Sequence, residues 1–317
     1  SRLLTLSVVL VLVLVGVRVT FNDVFEHGHA KDTVMEPTED KDAYVQNDEG
    51  LWLYTRMWLP EGAPKAVVYL LHGYGEHSGR IGYSWLAEQL TGLGYAVCAH
   101  DHQGHGRSSG TRGHASDFQR LVDDAWLLIG LREKELEARY QTPLRTVIFA
   151  HSLGSIVATR VAMQHTEDIA GVVYSGIALE VDPDLVTPTM RALGTFAADY
   201  APKLTVHAIP LDSLPDDRGD DPYVFEHFLA RFSLSFLHTC EDIIANVSDI
   251  TFPILMFHGE NDLLAEVSGS HTLYKGASSE IKSLHILENA KHELLETEHK
   301  DDIVQKLNTF ATTVIAL

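Results

Sequence analysis

The chain has 317 residues, 45% of them hydrophobic and 21% charged, an ordinary globular composition with ample material for a large core. Its 24 basic and 44 acidic residues leave a formal net charge of −20. That balance excludes nucleic-acid binding through a basic footprint and disfavours attraction to anionic membrane surfaces, so any membrane attachment has to be hydrophobic.

One stretch could provide it. Leu3 to Val17 (LLTLSVVLVLVLVGV) carries no charge and is flanked by Arg2 and Arg18. It is long for a signal-peptide core and short for a membrane span of about 20 residues. No small-x-small cleavage pattern follows, since Val19-Thr20-Phe21-Asn22 is bulky and polar. Residues 1–20 therefore read as an uncleaved signal-anchor in preference to a cleaved signal peptide, which would place the protein on an endomembrane. The two arginines balance and leave the orientation unset. Residues 21–45, polar and aperiodic with Pro37, read as a linker to a domain over 46–317.

Leu51–Leu59 alternates like a strand or hairpin arm and is closed by Pro60, Gly62 and Pro64. Strands and helices then take turns. Ala66–Leu71 is an apolar run ending in His72-Gly73-Tyr74-Gly75. A helix carrying Trp85, Leu86, Leu90 and Leu93 stops at Gly94, and the strand Tyr95–Ala99 follows. A long helix spans roughly 116–140, then come Thr146–Ala150, a helix with Leu153, Ile156, Val157 and Val161, and the strand Gly171–Ser175. Strands resume at Pro253–Phe257 and Leu284–Leu287, and a last helix begins near Asp301. Short apolar strands alternating with helices predict an α/β fold, a mostly parallel sheet covered on both faces. In such a sheet the chemistry collects at the carboxyl ends of the strands.

Residues 178–245 break the rhythm, with six prolines and an acidic loop, Asp216-Asp217-Arg218-Gly219-Asp220-Asp221. Short apolar pieces lie between them: Leu193/Phe196, Phe225/Phe228/Leu229/Phe232 and Phe236/Leu237. An insertion of short amphipathic helices after a strand predicts a helical cap over the sheet edge. Its apolar faces either pack on the core or line an acyl-chain pocket. Cys98 falls in a buried strand, and with Cys240 as the only other cysteine the count does not fix the redox compartment. Asn246-Val247-Ser248 is a glycosylation sequon, relevant only in a lumen.

The organising stretch is Thr146–Val157, in which a strand runs through Ala150-His151-Ser152-Leu153-Gly154 into a helix. A serine on such a turn is a nucleophile elbow, usually G-x-S-x-G. The turn lifts Oγ above the sheet edge and places the next backbone N–H at a helix N-terminus, where a developing oxyanion is stabilised. Ala150 replaces the first glycine at the cost of one methyl. Alone, the motif also suits a plain buried βα unit whose Ser152 only caps the helix.

A serine needs a base, and the base an orienting carboxylate; in this architecture they follow in the order Ser, acid, His. Phe257-His258-Gly259-Glu260-Asn261-Asp262 puts acids directly after a strand, and Leu287-Glu288-Asn289-Ala290-Lys291-His292 puts a histidine after the last one. The assignment is Ser152 as nucleophile, Asp262 as orienter and His292 as general base. Glu260 is the alternative acid, Asp262 could merely cap a helix, and His292 is one of 18 histidines. All three candidates nevertheless follow strands in the required order. The oxyanion hole would pair the Leu153 N–H with that of Tyr74 in the loop after the first core strand. His292-Glu293-Leu294-Leu295-Glu296 has Glu where a second zinc histidine belongs, and His100, His102 and His105 complete no metal-spaced set. Neither metal nor cofactor is expected.

His72-Gly73-Tyr74-Gly75-Glu76-His77-Ser78-Gly79-Arg80, Asp101-His102-Gln103-Gly104-His105-Gly106-Arg107-Ser108 and His151-Ser152-Leu153-Gly154 occur in that order. With Asp262 and His292 at their spacing, the chain over roughly 45–315 resembles the monoacylglycerol lipase and lysophospholipase branch of the α/β-hydrolases. The resemblance implies a capped α/β-hydrolase fold, an ester-cleaving triad, a monoacylated lipid substrate, and Glu76 and Arg80 helping to hold the polar head group. In well-known monoacylglycerol lipases a second histidine, three positions past the catalytic one, helps bind glycerol. Here that position is Leu295. The N-terminal apolar segment is extra to the family's soluble core.

The expectation is a membrane-associated serine hydrolase cleaving a single fatty-acyl ester through an acyl-enzyme. A lysophospholipase or general carboxylesterase is the alternative on the same machinery, with acyl transfer to an alcohol a further variant. A non-catalytic ligand-binding relative is the alternative of another class. Nothing in the sequence sets the oligomeric state.

Overall fold

The computed structural model describes Pro37 and residues 40–181, 187–208 and 221–317. The N-terminal apolar segment, most of the linker and the acidic loop up to Asp220 lie outside the described residues.

The domain begins earlier than expected. Residues assigned to the end of the linker form a short 3-10 turn, Lys41–Ala43, and the strand β1, Tyr44–Gln46. β1 pairs antiparallel with β2, Trp52–Trp58. Between them the Asn47 side-chain oxygen accepts the N–H groups of Glu49 and Leu51, closing a turn at Gly50. The linker assignment overlooked this asparagine-glycine turn signal.

The following strands are β3 (Val67–Leu71), β4 (Ala96–His100), β5 (Thr146–His151) and β6 (Ile169–Ser175). After the insertion come β9 (Ile254–Gly259) and β10 (Lys282–Leu287). The insertion itself carries a two-stranded ribbon, β7 (Thr205–Ala208) with β8 (His227–Leu229). The main sheet runs β1-β2-β4-β3-β5-β6-β9-β10, parallel from β4 onward. Helices α1 (Ile81–Gly92), α2 (Gln119–Tyr140) and α3 (Leu153–Gln164) alternate with the first strands. Helices α4 (Pro188–Tyr200) and α5 (Ala230–Ala245) lie in the insertion, and α6 (Val267–Gly276) and α7 (Lys300–Val314) follow β9 and β10.

The continuous apolar runs of β3, β4, β5 and β6 are explained by burial on both faces, with successive side chains pointing to opposite sides. Val67, Tyr69 and Leu71 join Ile148, Ala150, Val172 and Tyr174 in one core, closed by Leu128 and Ile129 of α2 and Val157 and Val161 of α3. Val68 and Leu70 join Val147, Phe149 and Val173 in the other, closed by Leu86 and Leu90 of α1 and Leu307 and Phe310 of α7. From the insertion, Phe232, Cys240 and Ile243 of α5 extend the first core. Among the described residues no helix is long and apolar enough to cross a membrane.

This strand order positions the chemistry. β5, β6, β9 and β10 are consecutive and parallel, with His151 opposite Ser175, Ser175 opposite Phe257, and Gly259 opposite Leu287. Their carboxyl ends therefore deliver residues 152, 176, 262 and 292 to one edge.

Candidate active site

Ser152 sits between β5 and α3 with φ 50° and ψ −117°, a conformation that costs a non-glycine residue roughly 1–3 kcal/mol. The surroundings hold it there. Its N–H donates to the Ser175 carbonyl at 3.1 Å, and α3 is drawn close against the end of β3. A Cβ at Gly154 would lie 2.4 Å from the Leu71 carbonyl oxygen, so this position admits only glycine. At Ala150 there is no such squeeze. It lies in regular strand pairing with Leu71 and Tyr174, and its fully buried methyl belongs to the core.

The structure brings Asp262 and His292 together. The His292 Nδ1–H donates to Asp262 Oδ2 at 2.7 Å, which fixes the tautomer and leaves Nε2 with a lone pair. The other carboxylate oxygen accepts the N–H groups of Leu264 and Ala265, at 2.8 and 2.9 Å. Burial opposes the charge on Asp262. The His292 imidazole, the His258 contact and the Ala265 N–H outweigh it and hold the carboxyl well below the usual carboxylate range. The alternative acid, Glu260, is exposed and accepts the Asn289 N–H.

Ser152 and His292 share one small space. A Cβ at Gly176, next to the Ser175 carbonyl that holds Ser152, would fall 3.2 Å from His292 Nδ1 and 3.4 Å from Asp262 Oδ2. The His292 ring also lies 4.6 Å from that of His151, centroid to centroid. Among the described residues no hydrogen bond joins Ser152 Oγ to His292 Nε2. In unliganded sites this contact is commonly long and closes in the Michaelis complex.

The loop in which the sequence predicts one half of an oxyanion hole follows β3. A Cβ at Gly73 would lie 3.2 Å from the Ser152 Cβ, so the loop borders Ser152. Neither the Tyr74 nor the Leu153 backbone N–H has an acceptor among the described residues, as an anion site requires.

Glu76 and Arg80 are placed otherwise than the head-group role requires. They are 2% and 5% exposed and turn inward. Glu76 accepts the Gly73 N–H at 2.6 Å and the Tyr83 hydroxyl, and Arg80 reaches Glu296 at 3.3 Å. Glu76 thereby ties the loop after β3 to Tyr83 of α1, and Arg80, 3.9 Å from Glu76, ties the same corner to Glu296.

Two supporting residues were not singled out from the sequence. His258, fully buried at the end of β9, contacts Asp262 Oδ2 at 3.2 Å and Ser270 of α6 at 2.7 Å. His151 donates through Nδ1 to the Ser175 carbonyl at 2.9 Å and faces Glu293 through Nε2 at 3.4 Å. Burial favours the neutral ring of His151. Glu293, then Glu76 and the Ser175 carbonyl, reverse this and push its pKa up to about 9. The signal available was position: each histidine abuts an assigned residue or its strand end.

Behind His151 lies a cavity of about 10 Å³ lined by Glu76, Arg80, Tyr83, Ser175, Glu293 and Glu296, among others. Among the described residues no cluster of His, Cys, Asp or Glu is arranged to hold a metal ion.

The family described as serine aminopeptidase, S33, matches residues 62–300. Human monoglyceride lipase is 31% identical over 259 residues, covering 79% of this chain and 83% of its own. A monoacylglycerol lipase of Mycolicibacterium smegmatis is 29% identical over 265 residues, covering 80% and 92%. In three dimensions the monoacylglycerol lipase of Paleococcus ferrophilus superposes with a TM-score of 0.68 at 29% identity, over 83% of this chain and 98% of that one. With its capped, mostly parallel sheet and its serine elbow, the chain belongs to the serine aminopeptidase S33 family of the α/β-hydrolases.

Proposed function

We propose that the protein hydrolyses the ester of a monoacylated lipid, in the manner of a monoacylglycerol lipase, through an acyl-enzyme on Ser152. The observation that carries this reading is the Asp262–His292 pair at the rim of a strained serine elbow, in a chain 31% identical to human monoglyceride lipase.

Ser152 Oγ attacks the ester carbonyl while His292 Nε2 takes its proton, and Asp262 stays ionised and stabilises the imidazolium. The carbonyl oxygen, now negative, rests on the Tyr74 and Leu153 N–H groups; losing one such donor costs roughly 10²–10³ in kcat. The tetrahedral intermediate collapses, the C–O bond to the leaving alcohol breaks, and His292 returns the proton to that alcohol. Water repeats the sequence on the acyl-enzyme and releases the fatty acid. Glu76 and Arg80 act through the loop they brace, without touching substrate.

Leu295 favours a second reading of the head group, a lysophospholipase or general carboxylesterase. It is buried against Gly82, where the resemblance calls for a histidine that contacts glycerol. Hydrolysis of monoacylglycerol, lysophosphatidylcholine and short p-nitrophenyl esters separates the readings. Monoacylglycerol preferred by kcat/KM supports the first. No turnover of any ester, with no fluorophosphonate labelling of Ser152, leaves a ligand-binding protein. Attachment to an endomembrane through Leu3–Val17 completes the proposal, and loss of membrane association on deleting that segment tests it.

A further inference from the structure

Tyr74 occupies two places at once. Its backbone N–H, with no acceptor among the described residues, follows Gly73, where a Cβ would lie 3.2 Å from the Ser152 Cβ, while its side chain, 7% exposed, is embedded in the cap. The ring stacks on Phe228 at 4.3 Å and 7°, and on Phe232 at 4.9 Å and 29°. Phe225 meets it edge-on at 5.3 Å, and His105 closes the remaining side at 5.2 Å. Its hydroxyl lies 3.0 Å from both the Gly113 carbonyl, on the sheet side, and the His227 carbonyl in β8, and its single proton is shared between them.

The neighbouring backbone repeats the attachment. The Phe225 N–H donates to the Gly75 carbonyl at 2.9 Å. Gly75 has φ +73°, and a Cβ there would lie 2.2 Å from the Phe225 carbonyl oxygen, so cap and loop touch backbone to backbone. Two residues on, His77 pairs with Asp221 at 2.8 Å.

A stacked aromatic of two torsions transmits position with little slack. An oxyanion donor is effective only when its N–H is aimed beforehand, and a misplacement of about 1 Å costs up to roughly a hundredfold in rate. We propose that the Tyr74 side chain is a positioning residue that ties the oxyanion amide of its own backbone to the seating of the cap. The hole is then complete only when Phe225, Phe228 and Phe232 rest on that ring. Substrate entry that shifts the cap loosens the hole, and closure over bound substrate restores it. The inference rests on Ser152 being the nucleophile.

The test uses the full chain and p-nitrophenyl acetate, whose two-carbon acyl group has no chain to fill a long-chain pocket. Thermal unfolding identifies which variants fold. In folded Tyr74→Leu, kcat on the acetate ester should fall about tenfold or more with KM changed less than about threefold. Phe228→Leu, which alters only the cap, should show the same split, and the double variant should be no worse than Tyr74→Leu alone. Tyr74→Phe, keeping the ring and losing the shared proton, should fall between wild type and Tyr74→Leu. Unchanged kcat on acetate with loss confined to long-chain esters overturns the inference, because Tyr74 would then be a pocket wall. Independent, multiplying losses at 74 and 228 overturn it too. If Tyr74→Leu does not fold, the kcat and KM split in Tyr74→Phe and Phe228→Leu decides by the same criteria. Full activity in Ser152→Ala refutes the nucleophile reading instead, and is a separate result.

Discussion

His151 Nε2 lies 3.4 Å from Glu293 Oε2, so the residue before the proposed nucleophile is paired with the residue after the proposed base. This bridge fastens the elbow to the His292 loop, and its strength should follow pH. The folded pKa of His151, about 9, exceeds the ordinary value near 6.5, so the stabilisation is complete below about pH 6.5 and fades as pH rises through 9. Glu293→Gln should lower stability by on the order of 2–3 kcal/mol at pH 6, with the deficit shrinking by pH 9.5. Chemical denaturation at the two pH values measures it. A deficit of equal size at both would show that the pair is not ionic.

The acid in the site can be assigned by substitution. Asp262→Asn preserves shape but leaves His292 in the wrong tautomer, and a loss of roughly 10³–10⁴ in kcat is expected. Glu260→Gln, whose carboxylate meets only the Asn289 N–H among the described residues, should retain activity within about threefold. Ser152→Ala should abolish fluorophosphonate labelling altogether. If Glu260→Gln proved the more damaging change, the carboxylate assignment would be wrong.

Acid should unfold the protein through four buried imidazoles. His72, His100, His102 and His105 are each no more than 1% exposed and cluster ring to ring beneath the oxyanion loop, with His72 and His102 4.2 Å apart. Burial lowers all four, His100 to about 3 and His105 to about 4. The unfolded chain therefore binds protons that the folded chain refuses, and stability is lost as pH falls below about 6.5. The slope is roughly 1.4 kcal/mol per pH unit for each imidazole involved. Unfolding at pH 5 should take up about three protons net, nearly four at the imidazoles less about one released by Asp124, whose burial raises it to about 7, as read from the pH dependence of denaturation; uptake below one would contradict the assignment.

Where the chain repeats one apolar signal, sequence and structure agree closely. The strands at 67–71, 96–100 and 146–151 lie within a residue or so of the apolar runs that predict them, because a strand buried on both faces admits little else. The agreement fails where tertiary contacts override local preference. Helix α6, VSGSHTLYKG, has weak helical character and is held by Leu273 in the core and by Ser270 against His258. Asp262 and Glu260 could not be told apart, because a turn after β9 sends residues two apart in opposite directions. The inward course of Glu76 and Arg80 is likewise invisible in sequence, since charged residues are exposed by default and buried only when partners far along the chain, here Tyr83 and Glu296, await them.

That burial also sets apart two roles for Glu76. As a brace, it holds the Gly73 N–H at 2.6 Å and the Tyr83 hydroxyl, fixing the loop that presents the Tyr74 amide. Glu76→Gln would exchange a charge-assisted acceptor for a neutral amide that must also place two donors in a site 2% exposed. The expected result is a stability loss of about 1–3 kcal/mol, with kcat down roughly tenfold on every ester irrespective of head group. A residue that held the polar head would behave differently, raising KM for monoacylglycerol while sparing plain p-nitrophenyl esters. Measuring kcat and KM of Glu76→Gln on both substrate types distinguishes the two. A defect confined to the glycerol ester would return Glu76 to the head-group site and require the loop to open on substrate binding.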